Sequence, residues 1–228
     1  MNSNPTPKSI ILVSIEGNIG AGKSTLVKQF QECSTSSNID IICLQEPVDE
    51  WNEIKDENGV TILENFYQDQ TKYAFSFQMM AYITRLKRLM DTIEEHTQSK
   101  TNSPKTIIVM ERSLWTDKNI FAKMLYDDGK IGKMEYEIYN RWFNVFIEKI
   151  PLINVVYLKV DPTTCQERIQ TRNRKGEENI TIDYLKSCHD YHEKWLNESV
   201  SKQSSSSLTI DDNNKKSVEE IKDWIKTL

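Results

Sequence analysis

Nine residues constrain this chain more than any others. The segment Gly17-Asn18-Ile19-Gly20-Ala21-Gly22-Lys23-Ser24-Thr25 fits the pattern G-x-x-x-x-G-K-[ST] and directly follows the β-branched apolar run of residues 10–15. The residues after it, 22–33, have helical spacing, so the pattern sits in the strand–loop–helix context that gives it meaning. A glycine-rich turn of this kind points successive backbone N–H groups at one place, and the helix N-terminus adds partial positive charge. The loop is thus a cradle for a phosphate chain, with Lys23 at the β/γ-phosphates and Ser24 on Mg2+. The chain has only seven glycines, and three of them fall in this loop.

Three further β-rich runs follow, at residues 39–44, 106–110 and 153–160, with a weaker fifth at 207–210. Near-continuous apolar runs belong to strands buried on both faces, hence to a parallel sheet covered by helices. Helical spacing is expected at about 65–96, 115–127, 133–148, 162–173, 181–198 and 216–226. The longest places Phe75, Met79, Tyr82, Ile83, Leu86, Leu89, Met90 and Ile93 on one face. Alternating β and α elements make a doubly wound α/β fold. Residues 97–105 and the serine-rich 199–206 read as polar connectors, and no linker divides the 228 residues into separate domains.

Composition removes several classes of function. The hydrophobic fraction is 38% and no apolar run approaches the roughly 20 residues of a membrane span. The net charge of −5, without a basic block, argues against duplex nucleic acid. Cys33, Cys43, Cys165 and Cys188 are scattered without C-x-x-C spacing, which fits a reducing compartment better than a zinc site. Residues 1–8 carry no targeting pattern and are expected to be disordered, so the chain reads as cytoplasmic.

In an open parallel sheet, ligands gather beyond the carboxyl ends of the strands. Strand two ends in Gln45-Glu46-Pro47-Val48 and strand three in Glu111-Arg112-Ser113. Topology therefore brings Glu46 and Glu111 to the phosphate loop. Phosphoryl transfer needs a carboxylate for the hydroxyl proton, a metal near the β/γ-oxygens and cations for the moving charge. Glu46 is assigned as the base and Glu111 as the Mg2+ carboxylate, roles that could be exchanged, with Arg112 beside Glu46. On the long helix, Tyr67, Gln78 and Arg85 fall on one stripe roughly 27 Å long, beside Ala81. Gln78 offers the donor and acceptor that a base edge requires. Arg168 and Arg172 share a helical face, and Arg174 follows; their guanidinium forks match phosphate oxygens.

At this point the chain resembles the eukaryotic and viral deoxyribonucleoside kinases, a family that includes deoxycytidine, deoxyguanosine and mitochondrial thymidine kinases. The motifs that carry the resemblance are residues 15–25, Glu46-Pro47-Val48 with Trp51, Phe77-Gln78, Glu111-Arg112-Ser113 with Asp117 and Phe121, the arginines, and His192-Glu193-Lys194-Trp195-Leu196. The resemblance implies a P-loop kinase fold: a five-stranded parallel sheet flanked by helices, one domain over residues 1–228, with an arginine-rich lid at 168–180. It implies that Glu46 activates the 5′-hydroxyl with Arg112 beside it. Tyr67 and Glu177 bind the 3′-hydroxyl, Gln78 pairs with the base, and Trp51 and Phe121 line or stack on it. Arg168, Arg172 and Arg174 close over the phosphate donor, ATP with Mg2+ or another nucleoside triphosphate, and Asp211 and Asp212 lie near the donor's adenine. Lys175-Gly176 departs from the polar or acidic pair common in relatives.

The family positions that tune base choice are Ala81, Arg85 and Asp117, with Tyr73 and Trp115 expected at the pocket rim. Arg85 and Asp117 fill the space a thymine methyl needs and leave donors and acceptors unmatched, at about 1–3 kcal/mol per group. A purine deoxynucleoside, deoxyguanosine or deoxyadenosine, is favoured; deoxycytidine is also admitted and thymidine disfavoured. The family also implies a homodimer through the long helix and the helix at 133–148. A thymidylate-type nucleoside monophosphate kinase is the alternative, but such kinases carry Arg-Glu-Pro-Gly where this chain has Gln45-Glu46-Pro47-Val48. A GTP-dependent switch would need an N-K-x-D guanine reader, which the chain lacks.

Overall fold

Five strands pair in parallel in the order β2-β3-β1-β4-β5. They are β1 (Ser9–Gly17), β2 (Ile39–Leu44), β3 (Lys105–Glu111), β4 (Ile153–Leu158) and β5 (Ser204–Ile210). The computed structural model describes residues 9–32, 39–98, 105–198, 204–211, 216 and 218–228. The expected runs at 1–8 and 199–203, most of 97–105, and Asp212 lie outside or partly outside the described residues.

Strand β5 corrects one expectation. Ser204 and Ser206, assigned to a polar connector, pair with Ile153 and Asn154 of β4. An edge strand needs apolar residues on its covered face only, so alternating serines can occupy the rest of it.

Among the described residues the α-helices are α1 (Lys23–Glu32), α2 (Val48–Glu53), α3 (Ile62–Gln68), α4 (Gln70–Gln98), α5 (Leu114–Thr116), α6 (Lys123–Asp127), α7 (Lys133–Ile147), α8 (Pro162–Arg172), α9 (Ile182–Glu198) and α10 (Val218–Thr227). A π-helical stretch, Asp117–Ala122, joins α5 to α6. Val13, Ile15, Ile107, Val109 and Val156 point to one face of the sheet, where Val27 and Phe30 of α1 and Ile221 and Ile225 of α10 cover them. Leu12, Ile108, Met110 and Val155 point to the other, under α4, the π-helical stretch, α7 and α9. The two layers follow from the period-2 alternation of strands buried on both sides.

The expected single helix over 65–96 is two helices. Asp69 breaks it (φ −143, ψ 83), and its carboxylate accepts the Lys72 amide at 3.1 Å, starting α4 as an N-cap does. Upstream, Thr61 and Glu64 form a reciprocal capping box on α3. Tyr67 is therefore not in line with Gln78 and Arg85 on one helix. Gln78 and Arg85 are both buried. Helix α2 was not foreseen after Pro47; it is held by Trp51 Nε1 donating to Thr84 Oγ1 at 3.0 Å and by Arg88 on Asp49 and Glu50.

The His192–Leu196 segment is structural. His192 and Trp195 are buried on α9, and Glu193 accepts from Tyr157 Oη at 2.8 Å and pairs with Lys159. Among the described residues no helix is long and apolar enough to cross a membrane.

The chain runs from β1 out to β2, back to β3, then across to β4 and β5. The order thus reverses between β1 and β3. The carboxyl ends of these two strands flank the crevice where such sheets bind ligands.

Candidate active site

The phosphate loop leaves β1 in a backbone that only glycine adopts comfortably. Gly17, Gly20 and Gly22 have φ of 142, 80 and 100, and a Cβ on Gly20 would sit 2.5 Å from the Cys165 carbonyl oxygen. Asn18 braces the turn, donating from Nδ2 to the Leu185 carbonyl at 2.8 Å and accepting the Ile19 amide at 2.8 Å. Lys23 is buried and its Nζ donates to the Asn18 carbonyl at 2.7 Å. Burial and the nearby Arg112 lower its pKa to about 8.

Beside it, Ser24 Oγ donates to Glu111 at 2.6 Å. A hydroxyl and a carboxylate in contact next to a phosphate loop are hard oxygen donors, and the pair fits Mg2+ held jointly with substrate phosphates. The Glu46 amide lies 3.5 Å from the other Glu111 oxygen, so the ends of β2 and β3 meet as topology required.

Arg112 takes a left-handed backbone (φ 66), its amide donating to the Ile15 carbonyl at 3.1 Å. Its Nη1 donates to the Gly17 carbonyl at 2.9 Å, its Nε lies 3.3 Å from Glu46, and its guanidinium covers the Phe121 ring. Arg85 makes a three-way clamp: Nη2 to Glu46 at 3.0 Å, Nε to Asp117 at 2.9 Å and Nη1 to the Glu111 carbonyl at 2.7 Å. Burial favours the neutral form of Glu46, but Arg112, Arg85 and Lys23 overcome it and hold its pKa at about 2. Asp117 is more deeply buried; desolvation raises it to about 6 against the pull of Arg85.

A residue given no role in the sequence reading organises this corner. Glu16 is fully buried; it accepts from Ser14 Oγ at 2.5 Å, from the Ser113 amide at 3.0 Å and from Thr116 Oγ1. Its carboxylate ties the end of β1 to the turn carrying Arg112. The signal for it was an acidic residue at the end of an otherwise apolar strand.

One cavity of about 440 Å3 connects these groups. It is lined by Gly20, Gly22, Lys23, Ser24 and Thr25 of the loop and by Arg168, Arg172 and Arg174, and also by Trp51, Gln78, Ala81, Arg85, Asp117 and Phe121. Glu46, Glu111, Arg112, Tyr67 and Glu177 line it as well. The aromatic slot also includes Leu63, Phe66 and Phe77, with Phe66 and Phe77 stacked at 4.6 Å and Trp51 edge-on to Phe77 at 5.3 Å. Leu63 and Phe66 were missed because α3 was not separated from α4.

Some expected residues stand elsewhere. Gly17, Asn18 and Ala21 shape the loop without lining the cavity, and the Ala21 carbonyl accepts Arg168 Nη1 at 3.2 Å. Asp211 follows β5 and does not line it either. Tyr73 and Trp115 are not at the rim: Tyr73 packs against the α3–α4 cluster, and Trp115 is buried edge-on to Phe143. In the segment expected as the lid, Arg172 and Arg174 pair with Glu177 at 2.5 and 3.2 Å. Gly176 (φ 90) is not a free hinge, because a Cβ there would meet Glu64 Cγ at 2.9 Å.

The model of the deoxynucleoside kinase family matches residues 13–228. The chain belongs to that family. It is 38% identical to a probable deoxycytidine kinase of fowlpox virus, over 82% of this chain and 72% of the relative. It is 32% identical to deoxycytidine kinase 2 of Gallus gallus, over 84% and 76%. With the mitochondrial deoxyguanosine kinase of Xenopus laevis it shares 30%, over 81% and 72%. The deoxynucleoside kinase fold is the five-stranded parallel sheet with helices on both faces described above, and the enzyme transfers phosphate from ATP to a nucleoside.

The clamp around Arg85 sets an expectation independent of catalysis. Arg85→Met leaves the Asp117 carboxylate buried without its partner, a defect of about 3 kcal/mol or more. A melting temperature lower by roughly 6–12 °C is expected for a chain of this size. Adding Asp117→Ala should recover part of that loss, and thermal melts of the single and double variants at pH 7 check it.

Proposed function

We propose that this kinase phosphorylates the 5′-hydroxyl of a purine deoxynucleoside, deoxyguanosine or deoxyadenosine, admits deoxycytidine, and disfavours thymidine. The observation that carries the proposal is the Arg85–Asp117 pair, 2.9 Å apart, in a cavity that Gln78 and the rings of Trp51, Phe66, Phe77 and Phe121 also line. A purine offers N7 together with O6 or N6–H2 on one edge, enough partners for an amide, a guanidinium and a carboxylate. Thymine meets the same groups with a methyl, leaving buried polar atoms unpaired.

In this reading Trp51 and Phe121 hold the base, with Ala81 leaving room beside Gln78. Tyr67 and Glu177 receive the 3′-hydroxyl, which fixes the 5′-hydroxyl at Glu46. A carboxylate with a pKa of about 2 is ionised at every working pH and a weak base. That suits a loose transition state, in which the hydroxyl proton leaves late and the base chiefly orients the nucleophile. Arg112 stays within reach of Glu46 and of the transferred group. Gly17, Asn18, Ile19, Gly20, Ala21, Gly22, Lys23, Ser24 and Thr25 wrap the phosphates of ATP, and Arg168, Arg172 and Arg174 neutralise the moving charge. Ser24 and Glu111 hold Mg2+, which when bound offsets the charge on the β- and γ-oxygens. Asp211 and Asp212 are assigned to the adenine side of ATP.

The whole chain acts as one kinase domain with its lid at 168–180. The described cysteines, Cys43, Cys165 and Cys188, are free thiols, which supports a cytoplasmic setting. Met134, Ile138, Trp142 and Val145 form an exposed apolar stripe along α7, and Ile83 of α4 is exposed as well. Their spacing keeps the stripe on one side of α7, and it supports a homodimer through α4 and α7.

Three outcomes are expected. Glu46→Gln should lower kcat by about 100-fold or more with nucleoside KM changed less than threefold, measured in an ATP-coupled assay; undiminished kcat rejects Glu46 as the base. In competition among the four deoxynucleosides, purines should win, and Arg85→Met with Asp117→Ala should raise thymidine kcat/KM by about tenfold or more. Continued exclusion of thymidine by that double variant defeats the account of base choice. Trp142→Lys should halve the mass measured by sedimentation, and an unchanged mass removes α7 from the interface.

A further inference from the structure

The segment that follows α8 is fastened to α3 by a pair that lies outside the cavity lining. Past α8 the chain turns at Asn173 (φ 48) and runs through Arg174, Lys175 and Gly176 into the short helical turn Glu177–Asn179. Lys175 Nζ lies 2.7 Å from Glu64 Oε1. The environments are opposite: the Lys175 side chain is 81% exposed and that of Glu64 only 7%. The second Glu64 oxygen accepts the Thr61 amide at 2.9 Å, so one carboxylate serves both the α3 capping box and the lid. The Lys175 ammonium and the Thr61 amide hold Glu64 ionised, at about 2.

Gly176 makes the contact close. Its backbone passes over Glu64 so tightly that a Cβ would meet Cγ at 2.9 Å and Cα at 3.2 Å, and its φ of 90 is a glycine conformation. Beyond Glu64 on α3 stand Phe66 and Tyr67, which line the cavity; beyond Gly176 stands Glu177, gripping Arg172 and Arg174. Neither Glu64 nor Lys175 lines the cavity itself.

We infer that Glu64 and Lys175 form a latch that fixes the lid arginines relative to helix α3, and that both are positioning residues for the transfer. A rigid link between the wall that holds the nucleoside and the strap that holds the phosphates sets the distance between acceptor and donor, and small misplacements there cost rate. The inference rests on the proposed phosphate role of Arg168, Arg172 and Arg174.

The test uses the full chain with ATP and its best deoxynucleoside. Glutamine at the third helical position still closes a capping box, so Glu64→Gln removes the charge and keeps the helix start. Glu64→Gln and Lys175→Met should each lower kcat/KM for ATP by about tenfold. The double variant should be no worse than either single, and Lys175→Arg should stay near wild type. Melting temperatures should move by less than about 2 °C, because a partner this exposed adds little stability. Losses that multiply in the double variant, or a melting temperature that falls by more than about 5 °C in step with activity, overturn the latch. Arg172→Met separates the two readings: if it lowers kcat/KM for ATP while Lys175→Met does not, the latch alone fails. If Arg172→Met leaves kcat/KM for ATP intact, the phosphate role of the lid fails and takes the latch with it.

Discussion

Close backbone contact at the phosphate loop sets the rest of the site. Gly17 passes so near β4 that a Cβ would stand 2.7 Å from the Leu158 carbonyl oxygen, and Gly20 passes equally close to Cys165 on α8. The loop is thus packed between the end of β4 and the helix that carries Arg168 and Arg172. Helix α8 is tied to the loop a second time, since the Ala21 carbonyl also accepts Arg168. A side chain at Gly20 would press on α8, and on the arginines it carries, while one at Gly17 would press on the end of β4.

On that frame the site is a charge problem solved by sharing. Glu46, Glu111 and Asp117 crowd the ends of β2 and β3, and like charges so near one another would push protons on. Arg112, Arg85 and Lys23 hold Glu46 ionised against this, while Asp117, more deeply buried, stays raised in spite of Arg85; Arg85 spends three donors here, on the side chains of Glu46 and Asp117 and the backbone of Glu111. A lysine could not, having one ammonium where a planar fork is needed. Arg85 thus couples Glu46 to Asp117 through one guanidinium, and on the function proposed above a change at the base-choice positions is also a change at the carboxylate that orients the nucleophile.

The strands, the loop and the two strand-end acids were legible because each depends on local pattern or on topology alone. Runs buried on both faces announce a parallel sheet, and a parallel sheet places its ligands. The break between α3 and α4 was hidden because apolar spacing continues through it; only Asp69, a good N-cap after Gln68, marked the place. Missing it put Tyr67 on the wrong helix and left Leu63 and Phe66 out of the aromatic slot. Helix α2 was unreadable for another reason: it is six residues long and held by Trp51 on Thr84 and by Arg88, partners more than thirty positions away. Glu16 makes the same point, since its value lies in Ser113 and Thr116, which local sequence cannot see.

Gly176 shows how a residue type can suggest the wrong physics. In a lid sequence glycine reads as flexibility, and its replacement by alanine reads as a test of motion. Here its φ of 90 and its fit over Glu64 make it a packing residue. Alanine there would pry the lid from α3 by steric contact and strain a left-handed backbone, at about 1 kcal/mol for the backbone alone. Lower turnover in that variant would report displacement, and it would say nothing about how fast the lid opens. Lys175→Met separates the two effects, because it releases the same contact and leaves the glycine backbone as it is.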